Sequence, residues 1–167
     1  FEADDLIGTI CNKLKKTDLQ KIIITGDMDT LQLVRDDVNV YTMSRGMSDS
    51  VLYDAEKVKE RYGFGPDKIV EFKALRGDPS DNLPGVKGIG AKTATDLILN
   101  FANLEGIYKA VDKKDLRIKE RISGLLNEHK AAAFMSRELA TINCEAPIEI
   151  DLKKATYPDF QAGEAVK

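Results

Sequence analysis

The run Gly77-Asp78-Pro79-Ser80-Asp81-Asn82-Leu83-Pro84-Gly85-Val86-Lys87-Gly88-Ile89-Gly90 constrains this chain more than any other stretch. It joins a carboxylate pair, Asp78 and Asp81, to a glycine-rich hairpin that opens a helix near Ala91. Gly85, Gly88 and Gly90 permit positive φ and let backbone approach a phosphate closely. The helix that follows presents unsatisfied N–H groups and the positive end of its dipole. Lys87 and Lys92 can add charge-assisted contacts, of the kind that hold a duplex without reading its sequence. An ordinary helix–turn–helix corner, with glycines as caps, accounts for one such glycine. It accounts poorly for Gly-Val-Lys-Gly-Ile-Gly followed by Lys92.

Two further acid clusters stand elsewhere, Glu2-Ala3-Asp4-Asp5 and Asp27-Met28-Asp29. Hard oxygen ligands of this kind suit magnesium and manganese. A pair of such ions about 4 Å apart suits the in-line displacement of a phosphodiester. Helix caps and Asx-turns explain any one cluster equally well; three clusters beside a phosphate-binding hairpin point to metal. Cys11 and Cys144 lie far apart without ligand spacing and read as reduced, buried thiols. His129, the one histidine, reads as solvated. The net charge of −3 looks wrong for a nucleic-acid binder. Setting aside Glu2, Asp4, Asp5, Asp27, Asp29, Asp78 and Asp81 turns it positive, so a polyanionic partner is not excluded.

The first 65 residues read as α/β. Leu6, Ile7, Ile10 and Leu14 recur at helical spacing behind the amino-terminal acids. Lys21 to Thr25 is a β-branched run that reads as a buried parallel strand, ending at Gly26-Asp27-Met28-Asp29, where ligands sit in open α/β sheets. Leu31 to Val34 begins a helical turn, Val38 to Tyr41 is a second strand and Met43 to Ser50 a loop. Asp54 to Tyr62 is a charged helix stopped by Gly63 and Gly65-Pro66. From Pro66 the pattern is helical only: 67–75, 91–100, 104–111, 116–127 and 131–142. Ile148-Glu149-Ile150 reads as a short returning strand, and the tail after Pro158 as mobile. Hence three parts are expected: residues 1–65, 66–143, and a return segment with tail, 144–167. Tyr41, Tyr53 and Tyr62 read as packing residues, and Lys113, Lys114, Arg117, Lys119 and Arg121 as a solvated basic face. No apolar run is long enough to cross a bilayer. Two strands make a poor sheet, so partner strands are expected upstream of Phe1.

Phe1-Glu2-Ala3-Asp4-Asp5, Thr25-Gly26-Asp27-Met28-Asp29 and above all Gly77 to Ala94 resemble the 5′-nuclease (flap endonuclease) family, in particular its 5′→3′ exonuclease domains in bacterial DNA polymerase I. The resemblance runs from Phe1 to about Asp151. It implies a partial PIN-like parallel-sheet core followed by an all-α helix–three-turn–helix (helix-hairpin-helix) subdomain. It further implies that Glu2, Asp4, Asp5, Asp27, Asp29, Asp78 and Asp81 hold two Mg2+ (or Mn2+) ions for catalysis. Backbone carbonyls of Leu75, Arg76, Pro84, Val86 and Ile89 would hold K+, and Gly85, Lys87, Gly88, Ile89, Gly90, Ala91, Lys92 and Thr93 would contact DNA. The implied substrate is duplex DNA with a 5′ flap or nick, or an RNA primer, cut during replication and repair. The implied setting is the bacterial cytoplasm, near the nucleoid, in a parent chain with upstream nuclease residues and a downstream polymerase. A non-catalytic duplex-binding module, with structural acids, is the rival from another class. A PIN-like ribonuclease is a third reading, which the duplex-gripping hairpin disfavours.

Overall fold

A computed structural model describes residues 1–43 and 50–156. The expected loop at 43–50 falls largely outside the described residues, as does the tail from residue 157 onward. Helix α1 (Ala3–Lys13) starts behind the Glu2 N-cap, where the Glu2 N–H donates to Asp5 Oδ2 at 2.9 Å. Strand β1 (Lys21–Thr25) leads through Gly26 and Asp27 into a 3-10 turn, Met28–Leu33. Strand β2 (Val38–Thr42) follows, then β3 (Val51–Tyr53) and helix α2 (Ala55–Tyr62). Asp54 caps α2, and Gly63 ends it in the left-handed region at φ 83°.

The sheet order is β1-β2-β3, with β1 parallel and β3 antiparallel to β2. It is therefore mixed. Strand β3 has no counterpart in the sequence reading, since three residues with Val51 and Leu52 exposed carry too little alternation to register. Strand β2 alternates as a half-buried strand should, with Val38, Val40 and Thr42 inward. Strand β1 departs from the expected buried run. Ile23 faces the core, but Ile22 and Ile24 are 58% and 66% exposed.

A 3-10 turn at Pro66–Lys68 opens the helical half. It leads directly into α3 (Ile69–Arg76), and a second short turn, Pro79–Asp81, follows. Then come α4 (Ala91–Phe101), α5 (Leu104–Asp112), α6 (Glu120–Glu128) and α7 (Lys130–Ala140). Helix α6 starts later than Leu116. Lys114 adopts φ 52°, and Asp115 folds back on the Arg117 N–H at 3.0 Å, so an Asx-type turn outcompetes the helix there. Ile148-Glu149-Ile150 forms no strand; the segment runs past α1, and the Ile148 carbonyl accepts from Lys13 Nζ at 2.6 Å.

One apolar core runs through both halves. Leu31, Val38 and Val40 from the sheet side and Leu75, Val86, Leu104, Ile107 and Leu126 from the helices are almost wholly enclosed. Tyr62, Phe64 and Phe72 join the halves through ring centroids 5.4–5.9 Å apart. No helix among the described residues is long and apolar enough to cross a membrane.

Candidate metal centre

Asp29 stands just beyond the carboxyl end of β1, on the 3-10 turn that Asp27 caps by accepting the Asp29 N–H at 2.9 Å. Asp78 and Asp81 stand on the short turn after α3. Asp78 caps that turn by accepting the Ser80 N–H at 3.0 Å. A two-way backbone bridge between Asp78 and Leu83 closes it, at 3.0 and 2.9 Å. These two turns bring one oxygen each of Asp29, Asp78 and Asp81 within 4.8 Å of one another. The cluster is capable of coordinating a divalent metal ion.

Glu2 and Asp4, from the start of α1, line a cleft of about 270 Å³ together with Asp29 and Asp81. Acids from three distant parts of the sequence thus share one cleft. Burial raises the Asp4 pKa above its ordinary value, and Asp27, Glu2 and Asp5 push it further the same way. Asp5 is held by backbone donors. Its Oδ2 accepts the Glu2 N–H, its Oδ1 accepts the Asn143 N–H at 2.8 Å, and these bonds lower its pKa. It fastens the end of α1 to the segment after α7.

Lys73, which the sequence reading passed over, occupies the middle of the cluster. Its Nζ contacts Asp29, Asp78 at 2.9 Å and Asp81 at 3.1 Å. Burial disfavours the ammonium, but the three carboxylates outweigh that and raise its pKa. Burial also pulls Asp78 upward, yet hydrogen bonds from Ser80 and Lys73 prevail and hold it at about 2. Burial dominates at Asp29, whose pKa is raised despite the lysine. Phe72, Lys73, Ala74 and Leu75 are all buried, and a lysine enclosed among apolar neighbours needs an anion.

The hairpin leaves the cluster directly. Gly85 (φ 55°) and Gly88 (φ 90°) use the left-handed region, whereas Gly90 sits at φ −90° as the N-cap of α4. At Gly85 a side chain is impossible without backbone movement, since a Cβ would lie 2.2 Å from the Gly77 nitrogen. Its N–H donates to the enclosed Ser136 Oγ at 3.0 Å. Val86 and Ile89 point into the core, while Lys87, Gly88, Gly90, Ala91 and Lys92 are exposed and Thr93 is half-buried. Among the described residues neither lysine has an acidic partner. The Val86 N–H donates to the Leu75 carbonyl at 2.9 Å, and the Leu83 and Pro84 carbonyls lie against Gly77. The backbone of Leu75, Arg76, Pro84 and Val86 is therefore gathered, with Ile89 tied in through its N–H to the Val86 carbonyl at 3.0 Å.

Cys11 is buried, Cys144 half-buried, and both are free. His129 joins α6 to α7 and is 24% exposed at its side chain. Arg117 pairs with Asp115 and lies 4.5 Å over the Phe101 ring, so part of the expected basic face is internally engaged.

Two family models match. The first, described as 5′-3′ exonuclease, N-terminal resolvase-like domain, covers residues 1–63. The second, described as 5′-3′ exonuclease, C-terminal SAM fold, covers residues 64–162. DNA polymerase I of Caldicellulosiruptor bescii is 46% identical over 155 residues, 92% of this chain and 18% of that protein. DNA polymerase I of Bacillus subtilis is 38% identical over 99% of this chain and again 18% of its own length. The chain thus spans under a fifth of the curated relatives it matches. Among solved structures, T5 5′-exonuclease with divalent metal ions (zinc) bound is 26% identical with a TM-score of 0.72, covering 85% of this chain and 50% of that one.

Proposed function

The chain belongs to the 5′-3′ exonuclease family, and from that membership we propose that it is a fragment of a metal-dependent, structure-specific 5′→3′ exonuclease and flap endonuclease, incomplete as an enzyme by itself. That enzyme hydrolyses phosphodiester bonds at 5′ flaps and nicks in DNA, and in RNA primers, during replication and repair. The observation that carries the reading is the meeting of Asp29, Asp78 and Asp81 within 4.8 Å, one turn upstream of the glycine hairpin.

The sheet half, residues 1–65, is read as part of a PIN-like nuclease core. Residues 66–143 are read as a helix–three-turn–helix subdomain, and 144–167 as a return segment and tail. The donor set suits two Mg2+ or Mn2+ ions, because it offers only hard oxygens and several of them. Glu2, Asp4, Asp5, Asp27, Asp29, Asp78 and Asp81 would hold them, with Asp5 and Asp27 also fixing the start of α1 and the turn that carries Asp29. Ions bound there supply Lewis acidity, which lowers the pKa of the attacking water and stabilises the leaving oxygen. Lys73 holds the three aspartates in place, and ions held there would compete with its ammonium for the same oxygens. Exposed N–H groups of the hairpin and the first turn of α4, with Lys87 and Lys92, grip duplex phosphates. K+ on the carbonyls of Leu75, Arg76, Pro84, Val86 and Ile89 would link that grip to DNA. The Leu75 and Val86 carbonyls each accept one hydrogen bond and keep a second lone pair for it. The setting is a bacterial cytoplasm, with the nuclease region carried on a longer chain that includes a polymerase.

Lys73 also supports the rival reading. An ammonium already offsets part of the cluster's charge, as in a purely structural ion network around a non-catalytic duplex-binding module. Calorimetric titration with Mg2+ and Mn2+ separates the two. Under the nuclease reading Asp78→Ala with Asp81→Ala weakens metal uptake and spares duplex binding, while Lys87→Ala with Lys92→Ala does the reverse. Metal uptake that ignores the aspartate changes refutes it.

A further inference from the structure

A second pocket, of about 310 Å³, opens at the carboxyl ends of β1 and β2, between Gly26, Met28, Thr42, Val51, Tyr53 and Arg61. Ligands of open α/β sheets gather at strand ends of this kind. Among the described residues Arg61 is the one charged residue in its lining. Its Nη1 donates to the Tyr53 hydroxyl at 2.7 Å, and its guanidinium lies 5.8 Å from the Tyr53 ring and 5.6 Å from that of Tyr62. Tyr53 is itself only 5% exposed, so the guanidinium is held from behind by the core. Among the described residues no carboxylate lies within ion-pair distance of it. An exposed arginine ordinarily keeps its rotamer freedom or trades it for an acid. This one is fixed and still has donors of its planar fork to offer. Gly26 also lines the pocket, and a Cβ added there would meet nothing within 4 Å, so its backbone is open to a ligand.

Met28 is a wall of this pocket and also of a cleft lined by Asp29, Lys73 and Asp78. A fixed cation and the acid cluster therefore stand on the two sides of one residue. An acid cluster by itself repels a polyanionic strand, and a strand crossing it needs a cation where it leaves. We propose that Arg61 and its pocket bind a phosphodiester group of the strand engaged at the acid cluster, adjacent to the phosphate that sits there. The assignment rests on the nuclease reading and deepens it by giving the cut strand a path over Met28.

The test is binding of the full chain to a labelled 5′-flap duplex in EDTA, followed by anisotropy over a salt series. Arg61→Ala should weaken binding by roughly threefold to tenfold, the range for a solvent-screened charge-assisted contact. It should also flatten the log–log salt dependence by roughly 0.7–0.9. Arg61→Lys restores the charge without the fork and should recover part of the loss. Tyr53→Phe, which frees the guanidinium but keeps the packing, should lose less than Arg61→Ala. A scan of single methylphosphonates along the flap strand identifies the contact, because at one position wild type and Arg61→Ala should bind alike. An Arg61→Ala penalty that is the same at every methylphosphonate position overturns the proposal. So does a shift of the Arg61 Nε resonance by inorganic phosphate with no position found in the scan, which would mark a site for a free anion. If Lys87→Ala with Lys92→Ala loses duplex binding and the Arg61 variants do not, this proposal alone falls. If wild type and all variants bind no duplex, the nuclease reading falls with it.

Discussion

Replacing Lys73 by methionine removes the ammonium from between Asp29, Asp78 and Asp81 while keeping most of the buried stem. Divalent ions and the ammonium compete for the same oxygens. The wild-type chain must release the lysine before ions can bind, and the cost of that release is subtracted from their affinity. Asp81 is 48% exposed at its side chain and the other two aspartates 21–23%, so each contact falls in the screened range of roughly 0.2–1 kcal/mol. Three contacts amount to about 2 kcal/mol, or about 30-fold in a binding constant. Lys73→Met should therefore bind Mg2+ or Mn2+ about 30-fold more tightly by calorimetry. In EDTA it should be less stable than wild type by a similar amount, because the carboxylates then repel unopposed. Saturating metal should close that gap through linkage. Equal or weaker metal binding by Lys73→Met would refute the competition argument and favour the structural ion network.

Gly85→Ala should cost at least about 3 kcal/mol in urea unfolding, from left-handed strain together with a backbone clash at 2.2 Å; Gly90→Ala, with open space around it, should stay within about 1 kcal/mol. Similar values for the two would contradict the close crossing of Gly85 and Gly77. Ser136→Ala strands the buried Gly85 N–H and should cost about 1–3 kcal/mol, with hydrogen exchange at that amide accelerating. The pH dependence has two limbs. Hydrogen bonds from Lys21 and Arg35 hold Asp37 at about 2, and Asp78 also lies at about 2, both below the ordinary 3.8. Their stabilisation is present above about pH 4 and lost as pH falls toward 2. Asp4 and Asp29 are shifted upward by burial, so protonating them relieves the fold. In EDTA the unfolding midpoint should rise slightly on mild acidification before it collapses below pH 4; a steady decline from pH 7 would contradict this.

The helices were legible because their signals are local. Asp54 and Gly63 bracket α2, and the apolar spacing of Leu97, Ile98 and Phe101 continues α4 to its end. The acids were legible as types, since carboxylates grouped at element ends stand out in a sequence. Their partner was not. Lys73 meets Asp29 only through tertiary packing, and what betrays it is burial, which has to be inferred from neighbours before a structure exists. The same limit hid β3, whose pairing with β2 fixes it more than its own residues do. Asp5 carries a second task that its residue type did not reveal: its oxygens accept two backbone N–H groups and tie the start of α1 to the segment after α7.

Gly85 rests on Gly77, and the Asp78–Leu83 bridge and the Val86–Leu75 bond lie on either side of that crossing. The stretch from the acids to the glycine loop consequently has no hinge of its own. In the proposed enzyme it would work as a caliper: with one jaw on the duplex and the other at the scissile bond, the span between them is set by these backbone hydrogen bonds and the close packing of the two glycines, and the incision would fall at a constant number of base pairs from the grip whatever the length of the displaced strand.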